Sequence, residues 1–554
     1  MPTVTFDIDD LMKLAGISIT REALIEILSS LKCEAELEIG AKMTVEVTSD
    51  RPDFFSCEGL ARGVRLYAKG GKGYFPKHSS SAPIQLYVRP SVSEIRPFIV
   101  AAAIHDVQLS NEAMVQIMQL QEKLHNTYGS KRFKASIGVY NLDNMQPDMI
   151  YEALPPEDFS FVPLEESRRM DGREILRDTA KGREYSPILK SFSKYPLLKD
   201  SRGTVLSMPP IINSEETRVS ETTRNLFIDV TGTDEKAINL CLNVMVTSIL
   251  ERSGKVQKVE VNYKNKKVVT PILGKTKQLL NLATVKAVSG LSLKPDQIIK
   301  LLNRMGFESR PASGKQLEVT IPPYRVDIIH EVDLVEDIIM AFGLNNMHSE
   351  FPAVASIGKP LFGSKFRSRV RDLMVGMGFQ EISTYLLSNK ALEDKALCGV
   401  TGAVEIEKPI SSEYSAIRTS LLPKLLLFLG NNAHVPYPQR IFEYGDVVKV
   451  VNGVAVTSTQ LAAAISDYKV SFEDIQAVAL SLFKNLSKEI EFRPIAREPF
   501  IDGRAAAVFI DDKKIGSLGE IYPRLLIDFR IDTPVGMMEL NLSSLLSLES
   551  LFRG

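Results

Sequence analysis

The sequence predicts a multidomain α+β protein with two copies of a small α+β module, a central α/β domain and a C-terminal domain built on an antiparallel sheet. Three observations predict this class. The chain has 554 residues, which is too many for one hydrophobic core. Its hydrophobic content of 44% and charged content of 24% are ordinary for a folded protein. One order of elements occurs twice along the chain. We place the domains at residues 1–83, 84–265, 266–348 and 349–554.

Composition and charge exclude several classes of protein. The net charge is −1, so no global basic field attracts nucleic acid, and any RNA contact must rest on local patches. The cysteines form no CxxC pair, which argues against a zinc site or disulfides and for a reducing compartment; they are Cys33, Cys57, Cys241 and Cys398. The N-terminus lacks a signal-peptide pattern, and no apolar run approaches the roughly 18 residues of a membrane helix. We expect a cytoplasmic protein.

The repeated module covers residues 11–70 and 285–343. Each copy opens with a short apolar segment that ends near a glycine, and an amphipathic helix and a strand follow. An Arg-x-Asp motif and a closing helix complete the plan. We align the strand at 45–48 with that at 317–320, and Arg51-Pro52-Asp53 with Arg325-Val326-Asp327. A linker rich in Gly, Ser and Pro separates the first copy from the central domain.

The closing helix of the second copy is acidic. Asp333, Glu336 and Asp337 fall at i, i+3 and i+4, so their carboxylates share one helix face, and Asp327 lies just ahead of them. Like charges repel, and a divalent cation with oxygen ligands, Mg²⁺ above all, is the simplest candidate to offset them. The alternative is a solvated acidic face. The first copy lacks this acid cluster, so we interpret the cluster of the second copy as an addition for binding.

This pattern resembles a known family. P-x-Y-R-x-D-I followed by E-x-D-L-x-E-D-I, together with the N-terminal copy, is similar to the B5 and B1 modules of the phenylalanyl-tRNA synthetase β subunit. In that family the acidic B5 residues hold Mg²⁺ near the interface with the α subunit. The resemblance therefore implies a set of four Mg²⁺ ligands: Asp327, Asp333, Glu336 and Asp337.

The central domain is predicted to contain strands at 99–105, 135–140, 205–208 and 226–230 and two long helices, the first capped by Asn111 and the second at 235–251. Polar residues follow two of the strands, among them Ser207 and Asp229. An Asp leaving a strand into a loop can bind a ligand. It can equally cap the next helix, and capping is the more ordinary use. His105 and His125 lie in regular strand and helix patterns and are interpreted as structural.

The same region is similar to the B3/B4 editing module of archaeal and eukaryotic β subunits, through the segment from Gln121 to Arg132, S-x-P-P-x-x-N and F-I-D-V-T-G-T. That module hydrolyses tyrosine wrongly attached to tRNA(Phe). A phenylalanine pocket rejects an added hydroxyl only weakly, so a second site must recognise it. The resemblance implies six editing residues, with Asp229 recognising substrate or ordering water: Gln121, Arg132, Ser207, Asn213, Asp229 and Thr231. No protein nucleophile with a His base is indicated, so hydrolysis by a positioned water is expected.

The C-terminal region is predicted to hold strands at 379–385, 440–448, 505–510 and 535–540, with helices packed on one face of an antiparallel sheet. It resembles a degenerate class II aminoacyl-tRNA synthetase module. Ile441 and Leu540 stand where such sites hold ATP-binding arginines, so this module is expected not to activate an amino acid. The leucine-rich helix at 421–429 is either core or interface, and core is the more ordinary case.

The resemblance spans essentially the whole chain and implies a β subunit of archaeal or eukaryotic type, because no segment corresponds to the inserted OB-fold or the anticodon-binding domain of bacterial β subunits. The implied partners are an α subunit in an (αβ)₂ assembly and tRNA(Phe), with ATP and phenylalanine bound on the α subunit. A non-enzymatic scaffold or tRNA-binding protein is the alternative. A self-sufficient synthetase is disfavoured by Ile441 and Leu540.

Overall fold

The computed structural model describes residues 2–38, 40–76, 78–79, 81–351, 353–354, 356–397 and 402–546. It confirms the mixed α+β multidomain class. The chain divides into two compact units, Met1–Phe351 and Pro352–Gly554, while the boundaries of the four predicted domains stay predictions. Among the described cysteines, Cys33, Cys57 and Cys241 are buried free thiols, and Cys398 lies outside the described residues. In these ranges no helix combines the length and the apolar character needed to cross a membrane.

The first module is a three-stranded antiparallel sheet, in the order β1-β3-β2, covered by helices. Helix α1 begins where the side chain of Asp7 accepts hydrogen bonds from the next turn, and it ends at Gly16, whose φ of 62° suits a residue without a Cβ. The elements are β1 (Thr3–Asp7), α1 (Ile8–Ala15), α2 (Arg21–Ser30), β2 (Cys33–Leu37), β3 (Lys42–Val47) and α3 (Cys57–Lys69).

The central domain stacks two sheets. Its elements are β4 (Ile84–Val88), β5 (Phe98–His105), α4 (Asn111–Asn126), β6 (Ala135–Asn141), β7 (Met149–Leu154), β8 (Ser160–Phe161), β9 (Met170–Asp171), α5 (Gly172–Asp178), α6 (Ala180–Leu189), β10 (Tyr195–Asp200), β11 (Val205–Met208), β12 (Ile212–Asn213), β13 (Leu226–Gly232), α7 (Glu235–Ile249), β14 (Lys255–Gln257), β15 (Val259–Asn262) and β16 (Lys267–Thr270). One sheet has the order β14-β5-β13-β6 and the other β12-β11-β10-β7-β4-β15-β16. Apolar side chains such as Phe227 and Leu198 fill the space between them, and α7 covers the outer face of the smaller sheet.

Three details of the central domain differ from the sequence prediction. Helix α4 is capped by Ser110, which leaves the predicted cap Asn111 as the first helical residue. Strand β13 continues to Gly232, so Asp229 lies inside a buried strand, and the cap of α7 is Asp234. Strand β16 pairs with β15, so residues 267–270 belong to the central sheet and not to the second module. For α4 and β13 the apolar pattern located the element and missed its boundary by a few residues, whereas β16 was not predicted as a strand.

The second module repeats the first, with the sheet order β17-β19-β18. Its elements are β17 (Thr276–Asn281), α8 (Leu282–Ser289), α9 (Pro295–Arg304), β18 (Glu308–Pro311), β19 (Gln316–Ile321) and α10 (Glu331–Phe342). Helices α1 and α8 begin at Ile8 and Leu282 and are followed by Gly16 and Gly290, a constant offset of 274 residues.

That offset corrects the predicted strand alignment by two residues. Met43 lies opposite Phe6 in the first sheet, as Leu317 lies opposite Leu280 in the second, so Leu317 is the counterpart of Met43 and not of Val45. The error has a physical origin. Side chains alternate along a strand with a period of two, so a slip of two residues keeps every apolar residue on the buried face.

The C-terminal unit is built on a seven-stranded sheet in the order β20-β23-β24-β28-β27-β26-β25, antiparallel except for β20 and β23. The predicted strand at 379–385 is reduced to the two residues of β20. The elements are α11 (Phe362–Gly376), β20 (Gln380–Glu381), β21 (Leu387–Ser388), α12 (Lys390–Leu397), β22 (Ala416–Ile417), α13 (Leu422–Asn431), β23 (Gln439–Val451), β24 (Val454–Ser466), α14 (Phe472–Asn485), β25 (Glu491–Pro494), β26 (Phe500–Ile510), β27 (Lys513–Ile521), α15 (Pro523–Asp528), β28 (Val535–Asn541) and α16 (Ser543–Leu546).

Helices cover both faces of this sheet, so the prediction of one covered face is wrong. Helices α11 and α14 pack on one side and α13 and α15 on the other, each with its own apolar core. The middle of β24 explains this, because its consecutive apolar residues 461–465 point alternately to the two faces. Leu425, Leu426 and Leu429 of α13 are buried, which confirms that the leucine-rich helix is core.

Candidate functional site

A cavity of about 560 Å³ lies beside the outer edge of strand β6 in the central domain. Five of the six predicted editing residues line it, although they come from separate elements of the domain: Gln121, Arg132, Ser207, Asn213 and Asp229. A volume of this size is typical of a small-molecule site. The sequence prediction therefore converges on one place in the fold.

Three side chains form hydrogen bonds with backbone groups at the edge of β6, and these bonds hold the side chains in place. Gln121 Nε2 donates to the Ile137 carbonyl at 2.8 Å, and Asn213 Nδ2 donates to the Val139 carbonyl at 3.3 Å. The Ile137 N–H donates to His125 Nε2 at 2.8 Å. An edge strand needs such partners because its backbone groups have no neighbouring strand. The two amides thus stand at fixed positions on the cavity wall, and no described residue donates to their side-chain oxygens.

Both histidines of this domain have structural roles, as predicted. Burial lowers the pKa of His125 to about 4, so the ring is neutral and accepts from the β6 backbone. His105 Nδ1 lies 3.0 Å from Asn225 Oδ1, and its Nε2 lies 2.6 Å from Gln257 Oε1. Neither ring lines the cavity.

Asp229 is the buried acid of the site. Its Oδ1 lies 2.5 Å from Tyr140 Oη, which in turn lies 2.8 Å from Ser207 Oγ. Burial raises the pKa of Asp229 to about 7, while the hydrogen bond from Tyr140 and the charge of Arg96 act in the opposite direction. A carboxyl that changes its charge near neutral pH inside a cavity is typical of a functional site.

Thr231 holds Arg96 and does not line the cavity. Arg96 is buried, and its Nε donates to Thr231 Oγ1 at 2.8 Å while Nη2 donates to the Thr231 carbonyl at 2.6 Å. A third bond reaches the Phe133 carbonyl at 3.1 Å. Burial lowers the pKa of Arg96 to about 10, so it keeps its charge at neutral pH. Sequence reasoning missed Arg96, because a single arginine before a strand carries no local signal of burial.

Arg132 is fixed at the cavity wall. Its backbone has a φ of 67°, and its guanidinium carbon lies 4.3 Å from the ring centroid of Tyr185. Nη1 donates to the carbonyls of Pro210 and Ile211 at 3.2 and 3.0 Å, and Nη2 donates to Glu122 Oε1 at 2.8 Å. The buried Nε has no acceptor among the described residues. One charged donor of a cavity-lining residue therefore has no partner within the described residues.

Each of the four predicted Mg²⁺ ligands has a partner within the protein. Arg325 Nη2 donates to Asp327 Oδ2 and to Asp337 Oδ2, both at 2.6 Å, in a buried cluster. Asp333 Oδ2 accepts from the backbone N–H of residues 329 and 330 and so starts helix α10. Glu336 pairs with Lys32 at 3.0 Å.

These contacts do not fit the predicted metal site. In the described ranges no group of three or more His, Cys, Asp and Glu side chains is placed to hold a metal ion. Arg325 and Lys32 supply the positive charge that the sequence argument assigned to Mg²⁺. The alternative of a solvated face also fails for Asp337, which is 3% exposed. The function proposed below therefore does not use Mg²⁺.

The first module contains the same arginine–aspartate pair. Arg51 donates to both oxygens of Asp53 at 2.9 Å, as Arg325 does to Asp327 in the second copy. The Arg-x-Asp motif is thus a shared structural pair, which assigns Asp327 to the scaffold.

In the C-terminal unit, the two positions that the resemblance to class II synthetases implies have lost ATP-binding arginines belong to the core. Ile441 and Leu540 are buried on opposite faces of the sheet. Glu443 is buried 2.7 Å from Arg418 Nη1, and Glu539 accepts from Ser420 Oγ at 2.7 Å. These carboxylates are therefore engaged inside the protein.

Comparisons with known proteins define the class. The "Phenylalanyl tRNA synthetase beta chain CLM domain" family matches residues 347–542, the "tRNA synthetase B5 domain" family matches 279–344, and the "B3/4 domain" family matches 107–261. The chain is thus of the aminoacyl-tRNA ligase class.

Relatives along the whole chain are more specific. The phenylalanine--tRNA ligase beta subunit of Thermococcus sibiricus is 38% identical over 98% of both chains, and that of Pyrococcus furiosus is 38% identical over 98% of this chain and all of its own. A crystal structure of an N-terminal fragment of the Pyrococcus horikoshii phenylalanyl-tRNA synthetase beta subunit covers 62% of this chain at 36% identity, with a TM-score of 0.59. The chain belongs to the family of phenylalanine--tRNA ligase beta subunits. The scaffold alternative is not favoured.

Proposed function

We propose that this chain is the β partner of a phenylalanine--tRNA ligase and that its central cavity hydrolyses tyrosine attached by mistake to tRNA(Phe). The observation that carries the proposal is the convergence of five predicted polar residues on one cavity that contains a buried carboxyl of raised pKa. Such convergence is expected of a site and not of a packing surface.

The cavity offers groups for both ends of a tyrosyl ester. Asp229 and Ser207 present oxygen acceptors to a phenolic hydroxyl, the group that distinguishes tyrosine from phenylalanine. In this proposal Arg132 Nε and the amides of Gln121 and Asn213 orient the ester and a water molecule. The two amides are held by their backbone bonds at the β6 edge, and Arg132 by its bonds to the carbonyls of residues 210 and 211, so little rearrangement is needed on binding. In this proposal water, and not a side chain, attacks the ester carbonyl.

The amino-acid activation step belongs to the partner in this proposal. An α subunit would bind ATP and phenylalanine and join them to tRNA(Phe), in an (αβ)₂ assembly. The C-terminal unit would keep a degenerate class II fold for packing against that partner. The support for this division is that Ile441 and Leu540, which stand where the resemblance implies the nucleotide-binding guanidiniums of an active module, are core side chains. No step is assigned to Mg²⁺.

The test is deacylation of Tyr-tRNA(Phe) by the chain reconstituted with its α subunit. We expect Asp229→Ala to slow tyrosine release at least about tenfold, because the acceptor for the phenol is lost. Asp158→Ala, which removes an exposed carboxylate of the same domain, is the control and should leave the rate unchanged. Equal rates for wild type and Asp229→Ala would remove Asp229 from the site.

A further inference from the structure

Tyr140 occupies the space between the two acceptors of the cavity. Its hydroxyl touches Asp229 Oδ1 at 2.5 Å and Ser207 Oγ at 2.8 Å, and its ring packs against Phe227 with centroids 6.2 Å apart. The side chain is 1% exposed and lies among apolar residues. The sequence pattern alone therefore predicts a core residue. Tyr140 is nevertheless one of the residues that line the cavity.

Gly138 makes this contact possible. It lies directly opposite Asp229 in the pairing of β6 with β13, and Tyr140, two residues further along, points to the same face of the sheet. A Cβ at position 138 would overlap both Tyr140 Oη and Asp229 Oδ1. The missing side chain thus leaves room for the phenol to cross over Gly138 and reach the carboxylate.

Proton counting shows what the three groups present to a ligand. A phenol has one proton, so when Asp229 is ionised Tyr140 donates to Asp229 and accepts from the Ser207 hydroxyl. Asp229 Oδ2 and the remaining lone pairs of Ser207 then have no donor among the described residues. The cavity wall therefore holds two neighbouring acceptors and no competing donor at this point. Such a place binds a hydroxyl and is costly to cover with hydrocarbon.

We propose that Tyr140 is a positioning residue that sets specificity: by holding Asp229 and Ser207 as paired acceptors, it makes the cavity select a tyrosyl over a phenylalanyl group. This inference rests on the proposed function and deepens it. A phenylalanyl ring in the same place would leave Oδ2 of the buried carboxylate without a donor, so discrimination would come from an unpaired acceptor and not from the size of the pocket.

The same arrangement predicts a pH dependence. The charged and titratable groups that act on Asp229 are Tyr140 on β6, Arg96 before β5 and Tyr151 on β7, and Arg132 lines the same cavity. Burial raises the pKa of Asp229, and the Tyr140 hydroxyl and Arg96 oppose that rise. Removal of the hydroxyl should therefore raise the pKa of Asp229 further. Activity that needs the ionised carboxylate should then begin at a higher pH.

The experiment compares Tyr140→Phe and Gly138→Ala with wild type and with the control Tyr87→Phe, which alters a half-exposed tyrosine of β4. The full chain with its α subunit is assayed on Tyr-tRNA(Phe) and Phe-tRNA(Phe) between about pH 6 and 9. For Tyr140→Phe we expect the tyrosyl-to-phenylalanyl ratio of kcat/KM to fall about tenfold, mainly through KM for the tyrosyl substrate, and the pH midpoint to move upward. Gly138→Ala, which keeps both side chains but separates them, should lower the same ratio, and Tyr87→Phe should change nothing.

An unchanged ratio and midpoint in both variants would overturn the inference. The two substitutions disturb one contact from opposite sides, so a folding defect in either leaves the other to decide. If wild type does not release tyrosine at all, the proposed function fails, and calorimetric titration of L-tyrosinamide and L-phenylalaninamide into the full chain decides the inference. A preference for the tyrosyl ligand that is lost in Tyr140→Phe supports it. Equal binding by wild type, or a preference retained by the variant, overturns it.

Discussion

At the scale of single residues, the cavity contains a carboxyl in the interior of a sheet. Asp229 is 1% exposed in the middle of β13 and has Tyr140 as its hydrogen-bond donor. Burial without a full cation partner raises its pKa to about 7. The folded state thus bears a cost whenever Asp229 is ionised, and such a cost is common at sites retained for function.

The first prediction concerns this cost. Because the pKa of Asp229 is higher in the folded than in the unfolded chain, the folded state binds the extra proton between about pH 4 and 7, and stability falls as the pH rises through that window. Asp229→Asn keeps the acceptor for Tyr140 and removes the charge. We expect it to stabilise the protein by about 1–2 kcal/mol at pH 8. Thermal melting of both proteins at pH 5 and pH 8 measures this.

At pH 5 the gain should be smaller than at pH 8, since Asp229 is then protonated in the folded wild type and only the unfolded carboxyl is ionised. A gain of equal size at both pH values would contradict the assigned cause. Asp229→Asn should also release tyrosine more slowly, which would separate its effect on stability from its effect on activity.

The site residues that could be predicted from the sequence are those carried by a motif. Gln121, Asn213 and Asp229 follow from the resemblance, and all three line the cavity. Tyr140 and Arg96 could not be predicted, because an aromatic residue in an apolar strand and a single arginine in a loop carry no sign of a polar role. Thr231 shows the opposite error. The motif predicted it as a site residue, but it does not line the cavity and instead binds Arg96.

At the scale of elements, helix α10 and the segment before it carry acids whose charge is balanced within the protein. Arg325 binds two of these acids, Asp327 and Asp337, whereas its first-copy counterpart Arg51 binds one acid of its own module, Asp53. Burial works to raise the pKa of Asp327, and the charge of Arg325 outweighs it and lowers that pKa below its usual value. The repeat and its Arg-x-Asp motif could be predicted from the sequence. The balancing contacts could not, because Lys32 lies about three hundred positions from Glu336 along the chain.

The second prediction compares the two arginines. Arg325→Met should destabilise the first unit by about 3–5 kcal/mol, since two buried carboxylates lose their cation. Arg51→Met, which leaves one carboxylate unpaired, is the matched variant and should cost less. Thermal melting at pH 7 gives the comparison.

The deficit of Arg325→Met should shrink near pH 4, because protonation removes the unpaired charge and because the wild type loses its own ion pairs as the pH falls. Equal losses for the two arginines at pH 7 would show that Asp337 does not depend on Arg325.

At the scale of the whole molecule, the chain consists of two units with separate cores. The two repeat copies and part of the central domain share one continuous core, so the finer divisions predicted from the sequence do not appear as separate bodies at this scale. Helices on both faces of the C-terminal sheet were missed for a related reason. A run of small apolar residues in a strand shows that it is buried, but the number of layers that cover it is decided by distant segments.

The third prediction concerns the segment between the units. Phe351 and Leu361 are 101% and 78% exposed, and Ile357 between them is 89% exposed. Proteinase K in limited amount should therefore cut first between residues 351 and 361 and release two resistant fragments, which mass spectrometry would identify. Early cleavage inside β13 or β24, whose backbones are paired on both sides, would contradict the division into these units.

The contacts between the two repeat copies also constrain the order in which the chain folds during synthesis. Arg62 lies 3.8 Å over the ring of Tyr324, and Arg304 donates to the carbonyl of Tyr67, 237 residues earlier in the chain. At typical translation speeds the ribosome takes roughly 12–50 s to cover that distance. During this time the surface of the first copy that contacts the second copy remains uncovered. The central domain is synthesised in the same interval, so it must fold before the second copy is available to contact the first.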